Sequence, residues 1–255
     1  MAALVTGAGN RIGKAIALHL AKRGFVVGVH YANSAEAADQ TVTEIRHMGG
    51  RAVALQADFL HEDATQGLIG KAVEALGPLT VLVNNASIFE ADSIETATRL
   101  SWDRHIDSNL RAPLVLTQGF AAQIPKDDYD GEPIARGLIV NMIDQRVHKL
   151  TPHFTSYTLA KAGLWALTQT AAQALAPHIR VNGIGPGPTL AGARQSAEDF
   201  RNQRAATILR RGADTDDITA ALDYFLGAKT VTGQMICTDG GQHLAWETPD
   251  VTGVE

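Results

Sequence analysis

Ala2-Ala3-Leu4-Val5-Thr6-Gly7-Ala8-Gly9-Asn10-Arg11-Ile12-Gly13 joins a short apolar run to a glycine-rich turn and the start of a helical pattern. Gly7, Gly9 and Gly13 space as G-x-G-x-x-x-G, one residue longer than the G-x-G-x-x-G turn that binds dinucleotides. Glycines there permit a tight turn and a close approach of backbone to a pyrophosphate. A helix starting near Ile12 offers unpaired N–H groups and a positive dipole end to the same phosphates. A turn that needs only small residues reads alike, so the rest of the chain has to decide.

Six further apolar runs follow, at 26–30, 52–57, 81–84, 138–142, 180–184 and 235–238. With 2–6 they make seven expected strands. Val, Ile and Leu fill consecutive positions, as in a parallel sheet buried on both faces. Helical patterns lie between them at 12–23, 35–47, 61–75, 102–124, 156–176 and 216–226. This alternation predicts one α/β Rossmann-type, doubly wound domain over 1–247 with a seven-stranded parallel sheet. The remaining 248–255 read as a polar C-terminal tail.

The chain has 255 residues, 45% of them hydrophobic, which suffices for one large core. A net charge of −5 argues against a nucleic-acid or anionic-membrane partner. Cys237 is the one cysteine, which excludes an intrachain disulfide and fits a reducing compartment. No apolar run nears the roughly 18 residues of a membrane span, and the first residues lack a basic signal region. A cytoplasmic protein is expected. Asp127, Asp128, Asp130 and Glu132 crowd one polar stretch, but their spacing matches no calcium loop. That stretch reads as a solvated connection, and no metal is expected.

Asn84-Asn85-Ala86-Ser87 follows the fourth run, Asp58 the third and Pro186-Gly187 the sixth. Asp144 stands thirteen positions before Tyr157, and Lys161 stands four after it. A Tyr-x-x-x-Lys pair shares one helix face. Asn109 lies in Ser108-Asn109-Leu110-Arg111-Ala112-Pro113. Pro113 has no N–H and cannot bond the Asn109 carbonyl four residues back. That leaves the carbonyl for another partner, or marks a packing kink.

In chain order these motifs resemble the short-chain dehydrogenase/reductase family over nearly the whole length. Asn141-Met142-Ile143-Asp144, Tyr157-Thr158-Leu159-Ala160-Lys161 and 180–187 are similar to its pteridine reductase branch, where aspartate replaces the usual serine. The resemblance implies a homotetramer packed through 156–176. It implies that Tyr157 donates a proton and that Lys161 binds the nicotinamide ribose. It gives the main-chain oxygen of Asn109 a water that leads to Lys161. Gly7, Gly9, Arg11, Ile12, Gly13, Asn85, Ala86, Pro186, Gly187 and Thr189 are expected along the cofactor, with Asp58 at the adenine. Arg11 and Ser87 are expected to meet both cofactor and substrate, and Phe89 to stack the pterin against the nicotinamide.

Physical chemistry refines these expectations. A tyrosine titrates near 10, so a lysine ammonium one turn away should lower it. An ionised Asp144 is acceptor-only; it suits a ring bearing N–H groups or a C=N nitrogen that must gain a proton. No carboxylate follows the second strand, where an enzyme using NAD places one for the ribose. His30, Asn33 and Ser34 stand there instead and are expected to hydrogen-bond a 2′-phosphate, so NADPH is favoured over NADH. Asn33 and Asn10 nevertheless depart from the basic residues of the branch, and Thr80 from an aspartate common in the family. Arg194, Arg201, Arg204, Arg210 and Arg211 follow the Pro-Gly loop; they read as a solvated helix face, with binding of a folate carboxylate as the alternative.

The function expected is NADPH-dependent reduction of a dihydropterin or dihydrofolate ring, with Asp144, Tyr157, Lys161 and Asn109 as the catalytic set. One alternative is a reductase of another carbonyl or cyclic imine. A second is an NADP(H)-binding sensor without turnover.

Overall fold

The computed structural model describes residues 1–127, 129–192 and 195–247. Seven parallel strands form one sheet in the order β3-β2-β1-β4-β5-β6-β7. They are β1 (Ala2–Val5), β2 (Val26–Tyr31), β3 (Arg51–Gln56), β4 (Leu79–Asn84), β5 (Gly137–Met142), β6 (Ile179–Pro186) and β7 (Met235–Thr238). The helices are α1 (Arg11–Lys22), α2 (Ala35–His47), α3 (Glu62–Leu76), α4 (Arg99–Ile106), α5 (Ala112–Gln123), α6 (Thr155–Leu175), α7 (Ala197–Ala205) and α8 (Thr215–Gly227). Among the described residues no helix is long and apolar enough to cross a membrane.

Strand side chains alternate between the two faces. Ala3 and Val5 of β1 join Ile16 and Leu20 of α1, Val42 and Ile45 of α2, and Leu222 and Phe225 of α8. Ala2 and Leu4 join Leu68 of α3, Leu116 and Phe120 of α5, and Ala172 of α6 on the other face. Both faces are therefore dry, which explains the uninterrupted apolar runs. The strand order reverses between β1 and β4. A crevice opens beyond their carboxyl ends, where ligands of such sheets bind.

Two elements differ from the sequence reading. The helix expected over 102–124 is broken by a π-helical turn at Asp107–Arg111, where the Ala112 N–H bonds the Asp107 carbonyl. Pro113 stands two residues after it and supplies no N–H to continue the α ladder. α7 lies within the arginine-rich stretch read as a solvated helix face, but no apolar periodicity marked its bounds. Ser196 caps it by accepting from the Asp199 N–H, a Ser-x-x-Asp pattern readable in principle as a helix start. The tail 248–255, Asp128 and Arg194 lie outside the described residues.

Candidate active site

The crevice is a cleft of about 990 Å³ that runs from the Gly7–Gly13 turn to Asp144 and Tyr157. Thr6 organises its floor. Its hydroxyl oxygen accepts from the Asn85 N–H at 2.8 Å and the Ala86 N–H at 2.9 Å. The Asn85 amide donates back to the Thr6 carbonyl at 2.8 Å. The ends of β1 and β4 are thus tied together across the switch point.

Close approach explains the glycines. A Cβ on Gly13 would stand 2.2 Å from the Gly7 carbonyl oxygen, and one on Gly7, at φ +61, 2.9 Å from the Ala86 Cα. Gly9 serves α2 instead: its Cβ would stand 3.1 Å from the Ala38 nitrogen, and it does not line the cleft. Arg11, Ile12 and Gly13 from the first turn of α1 do line it. Bare backbone beside a helix N-terminus fits a dinucleotide pyrophosphate. The Arg11 guanidinium donates to the Ala191 and Leu190 carbonyls at 2.9 and 3.0 Å, spanning the cleft to the loop after Thr189.

His30 corrects the sequence reading. Its ring is buried and stacks on Phe59 with centroids 4.3 Å apart. Nδ1 accepts from the Gly7 N–H at 3.0 Å, so Nε2 carries the proton and donates to the Ala57 carbonyl at 2.8 Å. Both nitrogens are used, and neither is left for a phosphate. Burial pushes the ring pKa down to about 4, which keeps it neutral. His30 therefore supports the glycine turn from behind. Asn33 and Ser34 are exposed outside the cleft lining, where Ala32 is the β2-end residue. Asp58 does line it, with one oxygen accepting from the Leu60 N–H at 3.0 Å.

At the far end β5 delivers Asp144 and α6 delivers Tyr157 and Lys161. The Tyr157 hydroxyl donates to the Asp144 Oδ2 at 2.9 Å, and Oδ1 accepts from the Arg146 N–H at 2.8 Å. The Lys161 Nζ donates to the Met142 carbonyl at 2.8 Å and lies 5.7 Å from the Tyr157 ring centroid. Burial, then the charge and hydrogen bond of Asp144, hold the Tyr157 phenol well above its ordinary value. The expected lowering by lysine is not found here, because the ammonium is turned to a carbonyl and a carboxylate occupies the phenol. Burial also raises the Asp144 carboxyl, against its hydrogen bonds and the Arg146 and Lys161 charges. Lys161 is pushed down to about 8 by burial, with Asp144 acting the other way. A carboxyl raised in this way takes up a proton more readily than an exposed aspartate, while its oxygens here accept from Tyr157 and Arg146.

Phe89 stacks on Phe154 at 4.3 Å and meets the Tyr157 ring edge-on at 4.7 Å. Ser87 lines the cleft beside it, and Pro186, Gly187 and Thr189 line it opposite. Asn109 lies behind the wall, fully buried. Its side chain accepts from the Ile88 N–H at 3.0 Å and donates to the Ile88 carbonyl at 2.9 Å. What the π turn visibly positions is therefore the backbone of the segment bearing Ser87 and Phe89.

The sequence reading missed Arg146, Phe154 and the cleft face around α7. That face presents Gln195, Asp199, Phe200 and Gln203. None of Arg201, Arg204, Arg210 and Arg211 lines the cleft. Arg204 instead donates to the Pro188 and Ala213 carbonyls and pairs with Asp214 at 3.0 Å. Phe154 stands just before α6 with φ +61, outside the helix, so helical spacing gave no signal for it.

The description "short chain dehydrogenase" belongs to the family model that matches residues 1–202. A 3-oxoacyl-[acyl-carrier-protein] reductase of Staphylococcus aureus is 34% identical over 247 residues, 95% of this chain and 98% of that protein. A crystal structure of FolM alternative dihydrofolate reductase 1 from Brucella canis, complexed with NADP, is 44% identical. It superposes with a TM-score of 0.92 over 98% of this chain and 97% of its own. A short chain dehydrogenase from Burkholderia cenocepacia in complex with NADP is 32% identical, with a TM-score of 0.85 over 95% and 97%. A glycine-lined crevice at the switch point, a Tyr157–Lys161 pair and matches of this extent lead to one conclusion: this chain belongs to the short-chain dehydrogenase family of oxidoreductases.

Proposed function

We propose that the protein is an NADPH-dependent reductase of a dihydropterin ring, free or within a dihydrofolate. The observation that carries this reading is Asp144, whose carboxylate stands 2.9 Å from the Tyr157 hydroxyl. The 44% identity to a structure described as a dihydrofolate reductase supports it. NADP in that structure and in the Burkholderia one supports the choice of cofactor, as does the lack of a carboxylate after β2.

Bound nicotinamide supplies the hydride. The chain does the rest. Gly7 and Gly13 let the turn close tightly so that its backbone can approach the pyrophosphate, and the N-terminus of α1 favours its charge. Phe89 and Phe154 offer apolar faces to a flat heterocycle. Ionised, Asp144 accepts from ring N–H groups; protonated, it delivers a proton toward a ring nitrogen. Tyr157, hydrogen-bonded to Asp144, replenishes that proton, and the Lys161 ammonium stabilises the negative charge this leaves.

The test measures NADPH oxidation with dihydrobiopterin, dihydrofolate, dihydromonapterin, simple ketones and a 3-oxoacyl thioester. Turnover of the reduced pterins is expected, and Asp144→Ser should depress it while raising ketone turnover. Loss of one charged hydrogen bond corresponds to about ten- to a hundred-fold. An unchanged pterin-to-ketone ratio in Asp144→Ser would remove the selective role of Asp144.

A second reading, carbonyl reduction, is favoured by the 3-oxoacyl relatives and by the raised Asp144 carboxyl, which when neutral donates to a ketone oxygen. It requires good turnover of the thioester and none of the pterins. A sensor without turnover has no use for an intact Tyr157–Lys161 pair. The assembly proposed is a homotetramer packed through α6, on which Leu159 is half exposed, and sedimentation gives its mass.

A further inference from the structure

Behind Tyr157 lies a buried polar cluster that the proposed chemistry does not use. Asp92, His105 and Ser156 are 7%, 0% and 0% exposed. They belong to three parts of the fold: the segment after Phe89, α4 and the first turn of α6. The Ser156 hydroxyl donates to the Asp92 Oδ2, and its N–H donates to Oδ1 at 3.2 Å. The Ser101 hydroxyl, from α4, also reaches Oδ2, at 3.2 Å. The His105 Nε2 accepts from the Glu90 N–H at 3.1 Å, so Nδ1 bears the proton and donates to the Ser156 oxygen at 2.7 Å. Burial would raise the Asp92 carboxyl, but the bonds from Ser156 and Ser101 outweigh it and hold it below its ordinary value. Burial lowers His105, which keeps it in the neutral form this arrangement needs.

The first turn of a helix leaves N–H groups without intrahelical partners. Phe154, the residue before α6, is in the left-handed region at φ +61 and supplies no side-chain cap. Asp92 fills that role from another part of the chain. Its main-chain oxygen accepts from the Phe154 N–H at 2.7 Å, its side chain accepts from Ser156, and Ser93 bridges to His153. An acceptor and a negative charge at a helix N-terminus are each stabilising. This cap also ties down the segment that carries Ser87 and Phe89. The stack of Phe89 on Phe154 and the edge contact with Tyr157 lie directly beyond it.

We propose that Asp92, Ser156 and His105 are positioning residues that lock the Phe89-bearing segment to the first turn of α6, setting where Phe89 stands against Phe154 and Tyr157 at the substrate end of the cleft. They touch no reacting atom. They act on substrate affinity through Phe89 and leave the cofactor end, at the Gly7–Gly13 turn, untouched.

The test uses full-length Ser156→Ala, Asp92→Asn and the double variant. Asp92→Asn keeps the side-chain volume, so a folding failure of the alanine variant leaves the test intact. Each single change should raise KM for the substrate by about ten-fold or more, with a smaller change in kcat. NADPH affinity should stay within about two-fold, and the double variant should be no worse than the poorer single, since both remove one shared bond. A role confined to fold stability would lower the active fraction and leave KM alone. That result, a parallel loss of NADPH affinity, or additive effects would each overturn the proposal. The kinetic arm rests on the reductase reading; amide hydrogen exchange does not. Peptides spanning 86–98 should exchange faster in both variants while those of β1 and α1 match the wild type. An inactive wild type with that exchange pattern sinks the reductase reading and supports this one; unchanged exchange sinks this one.

Discussion

Asp144, Tyr157 and Lys161 form a chain in which each group alters the next. The aspartate holds the tyrosine protonated, so in the proposed mechanism the phenol serves as an acid. Tyr157→Phe is expected to keep cofactor affinity and lose at least about a hundred-fold in rate, the usual scale for a general acid. Lys161→Ala is expected to lose both, because the family resemblance gives its ammonium the nicotinamide ribose as well as the charge left on Tyr157. Lys161 is cationic below its pKa of about 8 and neutral above it. The rate should therefore fall as pH rises through that value, a limb Tyr157 cannot set because its phenol titrates far higher. A rate still flat about one unit above it would take the lysine charge out of the mechanism. His30 gives a second pH signature, this time in stability. Its folded pKa of about 4 lies below the unfolded 6.5, so the unfolded state binds the extra proton between those values. Stability from this group is full above pH 6.5 and is lost as pH falls toward 4, by about 3 kcal/mol. Urea unfolding of His30→Gln across that window should show a shallower slope than the wild type.

Turns and helix ends carry the site at the level of elements. The glycine-rich turn makes a graded prediction, because the three glycines have different neighbours. An alanine Cβ at position 13 would collide with backbone at 2.2 Å, one at Gly7 at 2.9 Å with a positive φ besides, and one at Gly9 at 3.1 Å. Cofactor affinity by fluorescence titration should fall most for Gly13→Ala and least for Gly9→Ala. Equal losses would mean that the turn yields as a unit. The spacing of these glycines was readable in the sequence; their division of labour was not, since Gly9 meets Ala38 of α2 only once β1 and β2 are paired. The π turn shows the same limit. Pro113 announced a break in the helix ladder, but only the fold revealed that Asn109 clamps the Ile88 backbone.

For the whole molecule, the cleft joins two halves of the sheet, so a ligand that fills it should stabilise the entire domain. At about a hundred times its dissociation constant NADPH should add about 2.7 kcal/mol, or roughly 5–10 °C in Tm for a domain of this size. NADH at equal concentration should add less; a larger shift with NADH would reverse the preference drawn from the β2 end. Sequence alone determined the seven strands, the doubly wound class and the glycine turn, because these rest on local periodicity and on glycine's lack of a Cβ. It also singled out Asp144, Tyr157 and Lys161 through their resemblance to the family's motifs, which short stretches of sequence carry. Only the tertiary structure decided what those groups feel. The phenol's raised pKa comes from burial and from Asp144, and His30 turned inward because Gly7 and Ala57 offered partners to both ring nitrogens. Arg204 left the cleft for the Pro188 and Ala213 carbonyls, while Asp92 reached α6 across 64 residues of chain. Burial and hydrogen-bond partners are properties of neighbours in space, and the chain acquires those neighbours only on folding.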